Sequence, residues 1–276
     1  MPYKDLLVYA DSRPECAVRV ELACALAARH RAHLTALHVM MPWPVPAFVE
    51  AGLPRDVHEM RDRTLHEIAE RVEKSVQGAA RTAGIEVEWT AQHGELPEAV
   101  MARARCADVT VLGQVGDEGP DDPLERGLLE ALLMGSGRPL LIVPRYGKFP
   151  RLGERVLVAW NGTREAARAV NDALPILVEA REVTVLTVNP PGDSPRDVPA
   201  GDIALHLARH GVKATAASLR ADDLAVGDLL LSRASDLGAD LIVMGGYGHS
   251  RLREMALGGA TRHLLRHMTV PVLLSH

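Results

Sequence analysis

The second half of this sequence repeats the first, which limits the chain to architectures that can be built twice. Residues 4–9 read as a short apolar strand ending in Ala10-Asp11-Ser12, and residues 155–160 as one ending in Asn161-Gly162-Thr163. Each polar turn leads into an Ala-rich helical stretch, 15–32 and 164–180, and then into another apolar strand, 32–40 and 182–188. Further on, Asp108-Val109-Thr110-Val111-Leu112-Gly113 matches Asp240-Leu241-Ile242-Val243-Met244-Gly245, and the closing strands around 139–143 and 270–274 keep the same offset of 132. Upstream the offset is 150, Asp11 against Asn161, because the first half carries a longer segment around 41–65. That segment opens Met41-Pro42-Trp43-Pro44-Val45-Pro46, too rich in proline for regular structure. It runs into an amphipathic helix near 56–83, whereas the second half has only 189–199 before a shorter helix at about 200–210.

Each half thus alternates strand and helix about five times. Short apolar runs suit strands covered by helices on both faces, and alternating βα units imply parallel pairing with right-handed crossovers. The expected fold is α/β, two tandem doubly wound five-stranded parallel-sheet domains at 1–147 and 153–276. The boundary falls in 145–153, which holds Gly147, Pro150 and Gly153. A length of 276 residues fits about two domains, each able to bury a core. Only 3% of the chain is aromatic, so that core is made of Ala, Val, Leu and Ile.

Charge and cysteine usage narrow the class. A net charge of −5 argues against a general nucleic-acid binder, which needs a basic face to displace phosphate counterions. Cys16, Cys24 and Cys106 are odd in number and form no C-x-x-C, as expected of buried thiols in a reducing compartment. No apolar run reaches the ~18 residues of a membrane span, and the start of the chain reads as a strand and not a signal peptide. The expectation is a soluble, cytoplasmic protein without membrane contact.

Open parallel sheets bind ligands beyond the carboxyl ends of their strands. There the second half places Gly245-Gly246-Tyr247-Gly248-His249-Ser250-Arg251-Leu252-Arg253, then Gly258-Gly259-Ala260 at the start of a helix near 259–268. Glycines admit close backbone approach, and a helix amino terminus offers free N–H groups and partial positive charge to phosphate. His249, Arg251 and Arg253 add positive charge. The loop carries no Walker Gly-Lys-Ser/Thr and no chain-initial dinucleotide fingerprint.

Gly245-x-x-Gly248, nine residues and then Gly258 resembles the nucleotide loop of the universal stress protein family, whose pattern continues with Ser or Thr. The preceding Met244-Gly245, the following Leu264-Leu265-Arg266-His267 and the Val270-Pro271-Val272 strand also match. The resemblance covers nearly the whole chain, twice. It implies a five-stranded fold of the adenine nucleotide alpha hydrolase-like type with ATP or another adenine nucleotide at the strand ends, magnesium accompanying ATP. By that resemblance Asn161 replaces the usual adenine-side Asp and Val188 is the apolar base contact. Met244, Gly245, Tyr247 and Gly248 line the ribose and phosphate side, and Gly258, Gly259 and Ala260 form the phosphate turn. Single-domain members usually pair, so the two halves are expected to form an intrachain pseudo-dimer through their closing strands, a homodimer being compatible with this.

Two departures bear on affinity. Gly259 replaces the Ser/Thr, removing a hydrogen bond to a charged group worth about 1.5–3 kcal/mol. Asn161 exchanges an acceptor-only carboxylate for a mixed donor and acceptor, whose carbonyl is expected to accept from the exocyclic amine of adenine. In the first half Gly113-x-x-Gly116 is followed after nine residues by Arg126-Gly127, and 117–126 sets five carboxylates against Arg126, a net −4. Like charges a few ångströms apart cost on the order of a few kcal/mol each at an effective dielectric near 20. Asp11 keeps the adenine-side carboxylate, but the first half is expected to hold no phosphate.

Other features read more plainly. His206/His210 and His263/His267 are spaced i, i+4 but lack a third ligand, so solvated helix faces are expected and no metal. Asp11-Ser12 reads as a turn and cap. Trp43 and Phe48 belong to a segment that packs on its own domain or meets a partner. No assembled base, nucleophile or metal cluster appears. The expected role is a stress-response sensor or adaptor for an unidentified protein partner, at most a weak ATPase. The alternatives are a nucleotide-free interaction module and a slow ATPase.

Overall fold

A computed structural model of the chain describes residues 1–41, 45–46, 48, 52–114, 122–189, 200–220, 225–246 and 259–276, with side chains in 122–135 from residue 127 onward. The first half runs β1 (Asp5–Tyr9), α1 (Cys16–His30), β2 (His33–Met40), α2 (Arg55–Ala83), β3 (Glu88–His93), α3 (Leu96–Ala104), β4 (Val109–Gly113), α4 (Asp122–Gly135) and β5 (Leu140–Val143). The second runs β6 (Arg155–Ala159), α5 (Arg164–Leu177), β7 (Glu182–Val188), α6 (Ala200–Arg209), β8 (Ala214–Leu219), α7 (Val226–Asp236), β9 (Leu241–Gly245), α8 (Gly259–His267) and β10 (Val272–Ser275).

All ten strands join one sheet, in the order β3-β2-β1-β4-β5-β10-β9-β6-β7-β8. Pairing is parallel within each half. The halves meet where β5 and β10 pair antiparallel, Ile142 opposite Val272, Leu141 opposite Leu273 and Leu140 opposite Leu274. Each closing strand would otherwise expose a row of unpaired N–H and C=O groups. The central strands are buried on both faces, as their unbroken apolar runs require. One apolar layer lies on each face and extends through both halves: Val8, Val111, Val158 and Val243 share one, Leu7, Leu112, Leu157 and Ile242 the other.

Within each half the same device fixes the strands at their amino ends. The carboxylate of Asp108, just before β4, accepts from the N–H groups of Lys4 (2.6 Å) and Asp5 (3.1 Å) at the start of β1. Asp240, just before β9, accepts from Gly153 (2.8 Å), Glu154 (3.0 Å) and Arg155 (3.3 Å) at the start of β6. Burial, the larger influence, holds the Asp240 carboxyl above its ordinary range despite these bonds.

Side chains also tie the halves together. Tyr3 donates its hydroxyl to the Asp172 carbonyl at 2.7 Å, Arg29 reaches the Leu152 carbonyl at 2.6 Å and the Glu179 carboxylate, and Arg168 donates to the Gly137 carbonyl at 2.7 Å. Gly153 stands at φ 77°, and a Cβ there would lie 2.1 Å from Ile176 Cγ2, so this contact admits only glycine. The closing strands around 139–143 and 270–274, through which the sequence expects the halves to pair, do pair and are interior to one continuous sheet.

His30 closes α1 beneath Tyr3, ring centroids 5.0 Å apart, and neither of its buried ring nitrogens has a hydrogen-bond partner among the described residues. Burial, the largest influence, lowers its pKa below the ordinary imidazole value; Glu179 opposes this and Arg29 adds to it. The unfolded chain then binds a proton more readily than the folded one. The stability involved is complete above the unfolded value of about 6.5 and is lost as pH falls through it towards the lower folded value. Between about pH 7.5 and pH 5.5, thermal denaturation of a His30→Leu variant should show a smaller fall in Tm than the parent. Equal falls in the two proteins would remove His30 from the pH response.

Candidate functional site

The order in which strands are added reverses in the second half between β6 and β9, since β6 pairs β7 on one side and β9 on the other. Such a switch point opens a crevice beyond the carboxyl ends of the two strands. The turn after β6 supplies Asn161, Gly162 at φ 72° and Thr163, the N-cap of α5, whose hydroxyl accepts from the Ala166 N–H at 3.3 Å. Asn161 Oδ1 accepts both the Thr163 N–H (3.2 Å) and the Thr163 hydroxyl (2.8 Å). Both lone pairs of that carbonyl are thereby used. This corrects the expectation that the Asn161 carbonyl is the group offered to an exocyclic amine: the group left for a ligand is the Nδ2 amide, a donor.

The other predicted residues that the structure describes stand on β7, β9 and α8. Val188 ends β7, half-buried and packed against the apolar layer that includes Leu186 and Met244. Met244 is itself 7% exposed, with its side chain in that layer. Gly245 ends β9, where a Cβ would lie 2.5 Å from the Ala166 nitrogen, so the amino end of α5 is what demands glycine there. Gly259 and Ala260 open α8, and nothing lies within 4 Å of a Cβ built on Gly259. Tyr247, Gly248 and Gly258 fall outside the described residues, as do the cations of 249–253.

Three side chains at this crevice were not singled out in the sequence. Arg164, in the first turn of α5, pairs with Glu165 and reaches His276 Nε2 at 3.3 Å, while His276 Nδ1 lies 3.1 Å from the Gly246 carbonyl. Burial, the largest influence, pushes the Glu165 carboxyl up, but hydrogen bonds from Arg164 and Thr163 and the guanidinium charge bring it below its ordinary range. The signal for this pair was present: a charged dipeptide directly behind an N-cap.

The first half builds the same crevice between β1 and β4 and fills it with its own arginines. Arg19 is 2% exposed; its Nε donates to the Tyr9 carbonyl at 2.7 Å and its Nη2 stands 2.7 Å from Asp11 Oδ2. Its guanidinium carbon lies 5.5 Å from the Tyr9 ring centre, and a Cβ on Gly113 would meet Nη1 at 2.8 Å. Arg13 pairs with the same carboxylate through Nε at 3.0 Å and through Nη2. Burial, the largest influence, would raise the Asp11 carboxyl, yet the two guanidinium charges and their hydrogen bonds hold it below the ordinary range. Ala169 stands opposite Arg19 at the offset of 150, and because Tyr9 pairs with Leu37 as Ala159 pairs with Leu186, Thr187 stands opposite His38 and Val188 opposite Val39. His38 Nδ1 donates to the Ala10 carbonyl at 2.8 Å, and the ring stacks on Trp89 at 6.0 Å. The acidic segment 117–121 and the side chains of 122–126, Arg126 included, are outside the described residues.

The thiols and histidine pairs show no assembled chemistry. Cys106, expected to be buried, is instead exposed just after α3, whereas Cys16 and Cys24 are buried; burial, the largest influence, raises the Cys16 thiol, and it raises Cys24 to about 11. Both are protonated at neutral pH, so neither presents a thiolate nucleophile. His206 and His210 lie 4.7 Å apart and His263 and His267 4.6 Å, centroid to centroid, with His263 Nε2 bound to Asp228 at 2.5 Å. Among the described residues no group of three His, Cys, Asp or Glu is placed to hold a metal ion, and no helix is long and apolar enough to cross a membrane.

The sequence model of the universal stress protein family matches this chain twice, over residues 2–144 and 153–276. The chain is 24% identical over 225 residues to universal stress protein Slr1230 of Synechocystis sp., covering 79% of this chain and 75% of that protein. In fold it is similar to a universal stress protein from Archaeoglobus fulgidus DSM 4304, with a TM-score of 0.77, 19% identity and 98% and 95% of the two chains covered. It is also similar to PA1789, a protein of unknown function from Pseudomonas aeruginosa PAO1, with a TM-score of 0.58, 16% identity and 99% and 92% covered.

The clamp on Asp11 makes a prediction of its own. Arg19→Ala should leave a mostly buried carboxylate short of one counter-charge, costing about 3–5 kcal/mol in urea denaturation. Adding Asp11→Asn should return part of that loss. A single variant as stable as the parent would show that Arg19 does not neutralise Asp11.

Proposed function

The chain belongs to the universal stress protein family, and from that premise we propose that its second half binds an adenine nucleotide and that the protein acts as a stress-response sensor or adaptor. The observation that carries this reading is the contrast between two equivalent crevices. The first is filled by Arg19, whereas the second has Ala169 at that position and leaves the Asn161 amide without a partner among the described residues. Phosphates are assigned to the amino end of α8 at Gly259 and Ala260, where N–H groups and the helix dipole favour an anion. The sugar is assigned to the Gly245-x-x-Gly248 segment and the base to Val188 and Asn161. Magnesium would arrive on the phosphates of ATP, since no carboxylate cluster among the described residues is placed to hold it.

Hydrolysis is a weaker reading. His276 is committed to Arg164 and the Gly246 carbonyl, and Glu165 is buried against Arg164. Neither is free to activate water. We place the protein in the cytoplasm, answering to a protein partner that reads the bound state. A nucleotide-free interaction module is the rival, and mass spectrometry of the adenylates that copurify with the protein separates the two.

Binding calorimetry should find one ATP per chain. A Cβ at residue 259 meets open space, so Gly259→Ser restores a phosphate-side hydroxyl without steric cost. It should tighten ATP by about ten- to a hundredfold and leave adenosine unchanged. Two ATP molecules per chain, or equal gains for adenosine and ATP, would overturn the assignment of the site or of residue 259.

The base end is testable separately. With its carbonyl occupied, Asn161 offers a donor, which faces the amine of AMP poorly and the carbonyl of IMP well. Asn161→Asp should shift the AMP-to-IMP affinity ratio towards AMP by about tenfold, the value of one hydrogen bond. An unchanged ratio would remove Asn161 from the base.

A further inference from the structure

We propose that the second half carries another anion site at the opposite end of its sheet, built for a small molecule with at least two carboxylate or phosphate groups and an apolar body. The segment that joins the halves folds against the amino ends of β6, β7 and β9 and borders an open cleft of about 480 Å³. That is within the usual range for small-molecule pockets, about 300–1,000 Å³. Four cations line it, Lys148, Arg151, Arg155 and Arg181, against two acids, Glu154 and Asp240. This is a local excess of positive charge on a chain whose net charge is −5.

The acids are already engaged. Both oxygens of Asp240 accept backbone N–H groups, from Gly153, Glu154 and Arg155. Glu154 pairs with Arg151 at 3.1 Å. Arg155 makes only a long contact, Nη1 to the Leu237 carbonyl at 3.4 Å, and the side chains of Lys148 and Arg181 bind nothing among the described residues. Three cations therefore border the space without a carboxylate partner, while Phe149 and Val270 give it an apolar wall.

The repeat supplies an internal control. At the offset of 150, Asp5 stands where Arg155 does, in the same position at the start of its strand. Asp5 lies 4.0 Å from His33, which also meets Glu88 at 3.3 Å, so that corner of the first half is acidic. Lys148 and Phe149 have no counterpart there, because the joining segment occurs once. The fold itself does not require the cations. Nor does the nucleotide reading: β6 separates the cleft from Asn161 by its own length, five residues or about 16 Å.

Inorganic pyrophosphate and citrate serve as probes, one for each source of anionic oxygens, titrated into the full chain saturated with ATP. Expected is binding of at least one probe that ATP does not displace, with amide NMR shifts confined to 148–155, 181, 238–240 and 269–270. It should weaken at least tenfold when Lys148→Glu is combined with Arg181→Glu, and also between about 50 and 300 mM salt, as screening demands. The preferred probe tells phosphate from carboxylate. Both replaced side chains are exposed, so the Tm of the double variant should be unchanged. Failure of both probes to bind, equal affinity in the double variant, or shifts confined to 161 and 259–260 would overturn the proposal.

Discussion

The antiparallel pairing of β5 with β10 is the interaction on which the rest of the molecule depends. It is short, three residue pairs, yet it meets the backbone hydrogen-bonding needs of two strands that would each be a long-lived liability in isolation. Through it the two apolar layers become continuous, so that neither half has to close its own core at that side. The cross-half contacts of Tyr3, Arg29 and Arg168 then lock an arrangement already defined by the sheet. Burying a backbone edge is costly unless its polar groups are paired, which explains why two copies of this unit are joined so compactly within one chain.

Much of this was legible in the sequence because it depends on local pattern. Residues 182–188 are a strand end to end, and α2 begins one residue before the expected 56. Strands covered on both faces write themselves as unbroken apolar runs, and the matching runs of the two halves confirm one another. The outer strands β3 and β8 were not singled out, because at the sheet rim their burial alternates weakly and their residues, Glu88-Trp89-Thr90 and Ala214-Thr215-Ala216, carry no such run. At the candidate site the backbone positions were readable from glycine spacing, but the hydrogen-bonding state of Asn161 was not drawn from it. That state follows from a three-residue turn, Asn161-Gly162-Thr163, and could have been. Arg19 is different in kind: nothing local says that a side chain eight residues beyond Asp11 folds back under it.

The two halves show how duplicated geometry separates from duplicated chemistry. Asp108 and Asp240 play the same part in both, fastening strand starts by backbone N–H groups, and a scaffold needs that wherever it is built. Positions facing the crevices follow no such rule. Arg19 stands against Ala169, His38 against Thr187 and Asp11 against Asn161, and these substitutions change charge, size and donor count together.

Arg19 has a consequence for how the first half can behave. It is a guanidinium ligand supplied by the chain itself, three turns of backbone at most from the carboxylate it meets. A tethered group competes at an effective concentration on the order of millimolar or above, independent of anything dissolved around it. The first crevice is therefore never vacant in the folded protein, whatever the supply of metabolites. The strands of that half meanwhile continue the sheet through the pairing of β5 with β10, so the half that holds its own ligand still walls the other.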